Sequence, residues 1–500
     1  MTVPFKSFQI RNSLTLCQAL VAVRNGRPVW ETSQYSTAAS EASTQFAKPF
    51  SEMPGLNTFS AIREFVLGKI VKDENRPEIF NSREAFKFWR RMPNIYGPTF
   101  KLQIVGQPTM VAITNVDDVQ KLYQITMDDP ERPPLNSLKK IRAEAIDNFF
   151  DKKAGILLEN FEEWKRVRSK VQVPVMRPKN ILKYLQEMDN VSRDFTDRIA
   201  ELQLKHGEMP KNFQQEIYKW ALESVGTVAL NRRLGCLNPN LPSDSEQEKL
   251  INSVNNMFEL LNILEIEFPW WRYIPSPSFK KLKETHEFVT SIVYSRILET
   301  EKELLTKIKE GGRTDKELTL LETLLQTEGL TRKDVMTFML DMIFAGIDTT
   351  SHTVAFTLYL LARNKDKQKK LQEELDLVLG EGNETLKEEQ IANLSYSMVF
   401  ALNLVTARDE KYFKKGNEFI PERWMRDKPL GPIHPYAALP FSHGTRMCIG
   451  RRIAEQEMYT FIARVMHRFN IDYKYQDMET VSRLVAVPSE PLRFEFTERR

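Results

Sequence analysis

From Asn115 to about Arg363 the apolar residues recur three and four apart with few alternating β-branched runs, which predicts a predominantly helical body. Ahead of it, Asn81 or Ser82 can cap a helix running to about Met92, and Tyr96-Gly97-Pro98 stops that helix. Two short runs rich in β-formers, Phe100 to Val105 and Met110 to Thr114, straddle Gly106-Gln107-Pro108 and predict a hairpin. A regular helical repeat begins where Thr331 and Asp334 form a capping pair. Val335, Phe338, Met339, Met342, Ile343 and Gly346 then follow at i, i+3, i+4 spacing, the pattern of a buried helix. In its continuation, Ala345-Gly346-Ile347-Asp348-Thr349-Thr350, a small pair, an acid and two hydroxyls interrupt the apolar stripe. A Thr hydroxyl there can bond the carbonyl one turn back, Gly346 leaves space for a small ligand, and a charged Asp348 needs a partner or a purpose. A last helix is expected from Arg451 to about Phe469, and the tail from Leu484 to Phe496 alternates enough for terminal strands.

The stretch Phe441-Ser442-His443-Gly444-Thr445-Arg446-Met447-Cys448-Ile449-Gly450 carries the most direct chemical signal. A thiolate at Cys448 can bind a soft or borderline metal such as haem iron, and Gly444 and Gly450 let the main chain approach a flat ligand and adopt φ > 0. Arg446 offers a fixed fork of donors for a carboxylate, and Phe441 can shield the sulfur from water. An isolated cysteine in such a turn is ordinarily just buried. Five specified positions together are a chance match on the order of one in 10^4 for a chain this long, which decides against that. Trp164 and Arg168 lie four apart and share a helix face.

The pattern Phe-x-x-Gly-x-Arg-x-Cys-x-Gly resembles the haem-binding loop of the cytochrome P450 family. The resemblance implies a mainly α fold with a small β region, with haem b held by Cys448 as axial thiolate. Trp164 and Arg168 match the family's Trp-x-x-x-Arg, whose side chains reach a haem propionate. Residues 345–350 resemble its oxygen-activation motif, which implies that Asp348 and Thr349 relay protons to bound dioxygen. The implied function is a monooxygenase that inserts one oxygen atom of O2 into a lipophilic small molecule, a sterol or a xenobiotic.

Composition narrows the setting. The 71 basic and 67 acidic residues leave a net charge of +4, too balanced for a nucleic-acid footprint. Cys17, Cys236 and Cys448 are far apart and odd in number, which argues against a disulfide framework and for a reducing compartment. Residues 1–45 hold Lys6, Arg11, Arg24 and Arg27 against the single acid Glu31 in their first forty positions, with many Ser and Thr, as a mitochondrial transit peptide and leader would. The apolar run Leu14 to Val23 is too short to cross a bilayer. The expected catalytic domain is then residues 46–500. The resemblance to mitochondrial members implies electrons from a ferredoxin and its NADPH-dependent reductase, a place on the matrix side of the inner membrane, and Arg451-Arg452 as part of a basic face receiving the acidic ferredoxin. Trp270, Trp271 and Tyr273, in the run 268–273, suit either core packing, a substrate lid or peripheral membrane contact.

One departure from the family pattern stands out. Residues 380–440 contain no Glu-x-x-Arg, while Pro421-Glu422-Arg423-Trp424 resembles the meander whose Arg completes a buried network with that pair. Two such spacings elsewhere, Glu163 to Arg166 and Glu490 to Arg493, lie in the wrong context. The flanking residues imply a loss of roughly 40 residues at a seam near Tyr396 and Ser397, comparable to one helix and a few strands. An orphaned Arg423 is expected to cost about 3–5 kcal/mol. Two other readings therefore stand beside the enzyme: a haem or ligand binder without turnover, or a helical scaffold without cofactor.

Overall fold

The computed structural model describes residues 20–22 and 50–65, 81–380 apart from 104–108, 129, 134, 268, 275 and 311–317, and 409–499 apart from 426–429. The helical pattern predicted from Asn115 onward is realised. In chain order the helices are α1 (Thr58–Phe65), α2 (Ala85–Tyr96), α3 (Val116–Ile125), α4 (Asn136–Ala143), α5 (Phe161–Met176), α6 (Pro178–Leu182) and α7 (Leu185–His206). They continue as α8 (Phe213–Ala229), α9 (Glu246–Ile266), α10 (Pro277–Lys309), α11 (Leu320–Leu325), α12 (Arg332–Arg363), α13 (Lys365–Leu379) and α14 (Arg451–Arg468).

The strands form small sheets at the margins. β1 (Leu20–Ala22), β2 (Gly55–Leu56), β3 (Thr99–Leu102) and β4 (Met110–Ile113) lie in the order β1-β4-β3-β2. β3 and β4 are the expected hairpin, antiparallel with Phe100 opposite Ala112; residues 104–108 of its connection lie outside the described residues. β5 (Phe469–Asp472) pairs with β8 (Glu495–Glu498), and β6 (Thr480–Arg483) with β7 (Val485–Pro488). The tail thus turns twice, with Leu484 at φ 67 in the tight β6–β7 turn.

α12 is the axis of the body. Thr331 and Asp334 form a reciprocal capping box that satisfies its first orphan N–H groups, and Arg166 ties its start to α5 by bonding Asp334 at 2.7 and 3.0 Å. The same guanidinium bonds Glu163 at 2.7 and 3.0 Å, so that Glu-x-x-Arg spacing builds a brace between two helices. The Glu490 to Arg493 spacing does not pair internally: Arg493 bonds Glu208 instead. α12 packs along α8, and both helices run through two apolar cores. Leu222 and Val225 of α8 join Phe338, Ile343 and Ile347 of α12 in one core, and Trp220 joins Val354, Leu358 and Phe461 in the other.

Three sequence expectations shift. α2 continues through Pro93 to Tyr96 although Pro93 supplies no N–H to the turn before it, and Gly97, at φ 87, closes the end with a bond to the Pro93 carbonyl. α14 stops at Arg468, and Phe469 opens β5 rather than closing the helix. Gly346 does not make room for a small ligand on its own account. A Cβ there would lie 2.9 Å from Val225 Cγ2, so the missing side chain lets α8 approach α12.

Candidate functional site

The Phe441–Gly450 loop is wound tightly before α14. The Cys448 N–H bonds the Phe441 carbonyl at 2.8 Å and the Met447 N–H bonds the Gly444 carbonyl at 3.1 Å. Gly444 sits at φ +78, where a side chain would be strained and would meet Met127 Sδ at 3.1 Å, as its sequence reading required. Gly450 differs. Its φ is −79, and a Cβ there would meet no protein atom within 4 Å, so neither turn geometry nor protein packing calls for glycine. What glycine does at 450 is leave that space beside Cys448 open.

Burial pushes the Cys448 thiol up, opposed by the Gly450 N–H and by the charges of Arg168 and Arg132. Those two cations, with Arg446, form a basic cradle around the loop. Arg168 is buried on α5; its Nη2 bonds the Met447 carbonyl at 2.9 Å, while its Nε has no partner. Burial pulls that guanidinium down to about 10, with Cys448 opposing. Arg446 lies 4.6 Å over the Trp164 ring and bonds the carbonyls of Pro130 and Glu159 and the side chain of Asn160. Its donors are thus used within the protein, where the sequence reading had kept them for a carboxylate. Arg132 and Asn160 were missed by sequence reasoning. Asn160 exchanges two bonds with the Arg132 backbone at 2.8 Å each, locking residue 132 beside the start of α5. Neither belongs to a recognisable spacing, since their link spans 28 positions. Phe441 packs at the rim of the second core with Arg451 5.6 Å from its ring centroid.

Along α12 the residues around Asp348 are almost all buried, but Met342, Ala345, Gly346 and Thr349 are half-buried. Their i, i+3, i+4, i+7 spacing puts them on one face. Thr349 Oγ1 donates to the Ala345 carbonyl at 2.7 Å, the back-bond anticipated from the sequence. Asp348 turns to the other side, 3.4 Å from His352 Nε2. Behind Thr349, Thr350 Oγ1 bonds Glu457 Oε1 of α14 at 2.9 Å, which fastens α12 to the helix that follows the cysteine.

Burial pushes Glu457 up to about 8, with Thr350 opposing, and its Oε2 has no partner. An acid with a raised folded value costs stability as pH climbs above its unfolded value of about 4.5, because only the unfolded chain then ionises, and the loss levels off near pH 8. Glu457→Gln is accordingly expected to gain about 3 kcal/mol on the parent between pH 5 and pH 7.5, measured from urea midpoints at the two pH values.

The meander corrects a further expectation. Buried Arg423 is not orphaned: its three nitrogens bond the carbonyls of Ile420, Lys414, Lys415 and Glu418 at 2.9–3.2 Å. Four backbone acceptors replace the absent carboxylate, so the expected 3–5 kcal/mol penalty does not arise. The seam at 396–397 lies outside the described residues. Arg451 and Arg452, expected on an exposed basic face, are half-exposed or more but both bond Glu455. In the aromatic run, Trp271 is core, stacked 5.1 Å from Phe279, whereas Trp270, Tyr273 and Ile274 are exposed; Phe268 lies outside the described residues.

The residues therefore fit a haem. A sulfur at a tight loop beside a glycine that leaves open space, two arginines bearing on it and an unpartnered buried guanidinium nitrogen make a set suited to an anionic metal chelate. Comparison with known proteins agrees. The family profile described as Cytochrome P450 matches residues 75–400 and 397–496, two segments that meet beside the expected seam. "Probable cytochrome P450 301a1, mitochondrial" of Drosophila melanogaster is 31% identical over 79% of this chain and 78% of its own. "Cytochrome P450 CYP12A2" of Musca domestica is 30% identical over 93% of this chain and 94% of its own, and "Probable cytochrome P450 12a5, mitochondrial" of Drosophila melanogaster is 30% identical over 90% and 91%.

Proposed function

The chain belongs to the cytochrome P450 family of haem monooxygenases, and from that premise we propose that it oxidises a lipophilic small molecule, a sterol or xenobiotic, with electrons delivered by a ferredoxin and its reductase. The observation that carries this reading is the Cys448 loop, where glycine and arginine are disposed around one sulfur. The names of the similar insect proteins support a mitochondrial setting, and the ferredoxin reading would place the chain on the matrix side of the inner membrane. Among the described residues no helix is long and apolar enough to cross a membrane, and the exposed Trp270, Tyr273 and Ile274 supply a patch for peripheral contact instead.

Bound haem supplies the redox centre that activates O2. The chain's own residues do the rest. Cys448 is the metal ligand, its anion steadied by the Gly450 N–H and by Arg168 and Arg132. Arg168, through its unpartnered Nε, is the donor best placed for a propionate, with Trp164 packed beside it on α5. Arg446 serves first to brace the loop, and a propionate would share its donors with Asn160. Phe441 and the apolar wall behind it keep water from the sulfur. On the other side Thr349 presents its hydroxyl on the half-buried face of α12, and Asp348, one residue earlier, holds the proton that Thr349 passes on.

The absent Glu-x-x-Arg is compatible with haem binding because Arg423 is satisfied by its own meander. An alignment of 517 positions with the Musca protein, longer than this whole chain of 500, supports an internal loss. The test is reconstitution of the purified chain with haemin, followed by reduction and carbon monoxide. A thiolate-type Soret shift is expected. A folded chain that stays colourless overturns the proposal and favours the cofactor-free scaffold, while a haem spectrum without turnover in the presence of ferredoxin, reductase and a panel of lipophilic substrates favours the non-catalytic binder.

A further inference from the structure

Asp348 is buried, 1% exposed, and its carboxylate bears on Tyr218 of α8. There it meets His352, one turn on in α12, with Oδ1 3.4 Å from Nε2. The same Nε2 lies 3.0 Å from the Tyr218 hydroxyl of α8, and the two rings meet edge to face at 5.6 Å. All three side chains are buried, and two of their polar atoms, Asp348 Oδ2 and His352 Nδ1, have no partner. Unpartnered buried polar atoms are costly, and two in one cluster need a purpose beyond packing.

We propose that His352 and Tyr218 are the proton-holding pair behind Asp348, resupplying that acid from the interface between α8 and α12. This deepens the reading of Asp348 and Thr349 given above and rests on it. The helices are close enough for this because Gly346 seats Val225; seven residues back along α8, Tyr218 then reaches the ring six residues on along α12. In the step, the imidazolium of His352 gives its Nε2 proton to an Asp348 carboxylate oxygen, leaving a neutral imidazole with its proton on Nδ1 and a carboxylic acid at 348. Nε2 then takes the Tyr218 hydroxyl proton while the phenol oxygen takes one from a solvent hydronium, which leaves water, restores the imidazolium and carries one solvent proton to Asp348 in all. Protons balance, and no electron moves. Burial and then the Asp348 charge raise Tyr218 well above the ordinary phenol range, so it remains a donor at working pH. Of the other charged groups, Arg483 of β6 bears on Tyr218 and opposes that rise, and Glu457 of α14 reaches only Thr350.

Tyr218 and His352 are thus positioning residues, and two measurements test them. The first needs no turnover. Among the six histidines, the imidazole 15N signal of His352 is identified by its loss in His352→Asn. Its titration is expected to shift by about half a pH unit or more in Asp348→Asn and in Tyr218→Phe. A titration unmoved by either overturns the pair. The second uses haem-loaded protein with ferredoxin and reductase. His352→Asn and Tyr218→Phe are expected to keep the thiolate-type carbon monoxide band, slow dioxygen consumption about 10-fold and enlarge its solvent isotope effect. The double variant with Asp348→Asn is expected to be no slower than Asp348→Asn alone. Additive losses overturn the proposal even if Tyr218→Phe alone folds. Normal dioxygen consumption in Asp348→Asn overturns the underlying reading of that acid instead, a result separate from the 15N titration.

Discussion

Cys448→Ala is expected to abolish the thiolate-type carbon monoxide band and reduce oxygen insertion to background, while the chain stays folded. The fold survives because the loop does not depend on the sulfur. Its turn is held by main-chain bonds from Cys448 to Phe441 and from Met447 to Gly444, by Thr445 Oγ1 to the Met127 carbonyl at 2.8 Å, and by Arg446 on Trp164. Alanine leaves each of these intact and adds no volume. What it removes is the loop's one thiolate, the ligand type that pushes electron density onto iron and favours O–O cleavage. Cys448→His separates ligation from thiolate character. Haem is expected to be retained with an imidazole-type band, and activity is again expected to be lost. If either variant keeps the thiolate band, Cys448 is not the ligand. Circular dichroism of the same samples checks that a lost band is not a lost fold.

The legible parts of this chain were those fixed by local chemistry. The capping box at Thr331, the back-bond of Thr349 and the left-handed Gly444 follow from residues within four positions of one another, and the β3–β4 pairing from two β-rich runs joined by one short Gly-Gln-Pro turn. Whatever depends on a partner far along the chain was hidden. Gly346 was read as space for a ligand because nothing in the sequence announces Val225, 121 positions earlier, as the side chain that fills it. Arg423 was expected to be orphaned because only carboxylates were counted as partners, yet a guanidinium is equally well met by carbonyls of its own turn. Asn160 and Arg132 could have been suspected only from the Asn standing just before a helical run, a cap position, and even there Asn160 spends its side chain on Arg132 and Arg446 instead. The expected haem ligand was legible for the opposite reason: its loop is contiguous.

Asp189→Ala is expected to cost about 3–5 kcal/mol, read as a fall in the urea midpoint. The side chain is fully buried on α7 and receives both Nε and Nη2 of Arg464 at 2.6 and 2.7 Å, with Arg193 adding a bond at 3.1 Å. Arg464 belongs to α14 and is itself buried, so removing the carboxylate takes the acceptor of two bonds from a guanidinium buried between two helices. The size of the loss comes from that stranding rather than from the worth of the pair. The paired change Asp189→Leu with Arg464→Met removes both charges at similar volume, and is expected to recover most of the stability. If Asp189→Ala costs under about 1 kcal/mol, or the paired change is no better than the single one, the interior at this point is wetter than the contacts require. The consequence reaches the site, because α14 begins three residues after Cys448 and is anchored to α7 through this pair. Haem is therefore expected to leave Asp189→Ala faster than the parent, measured as transfer to apomyoglobin, whereas the paired variant holds it as the parent does.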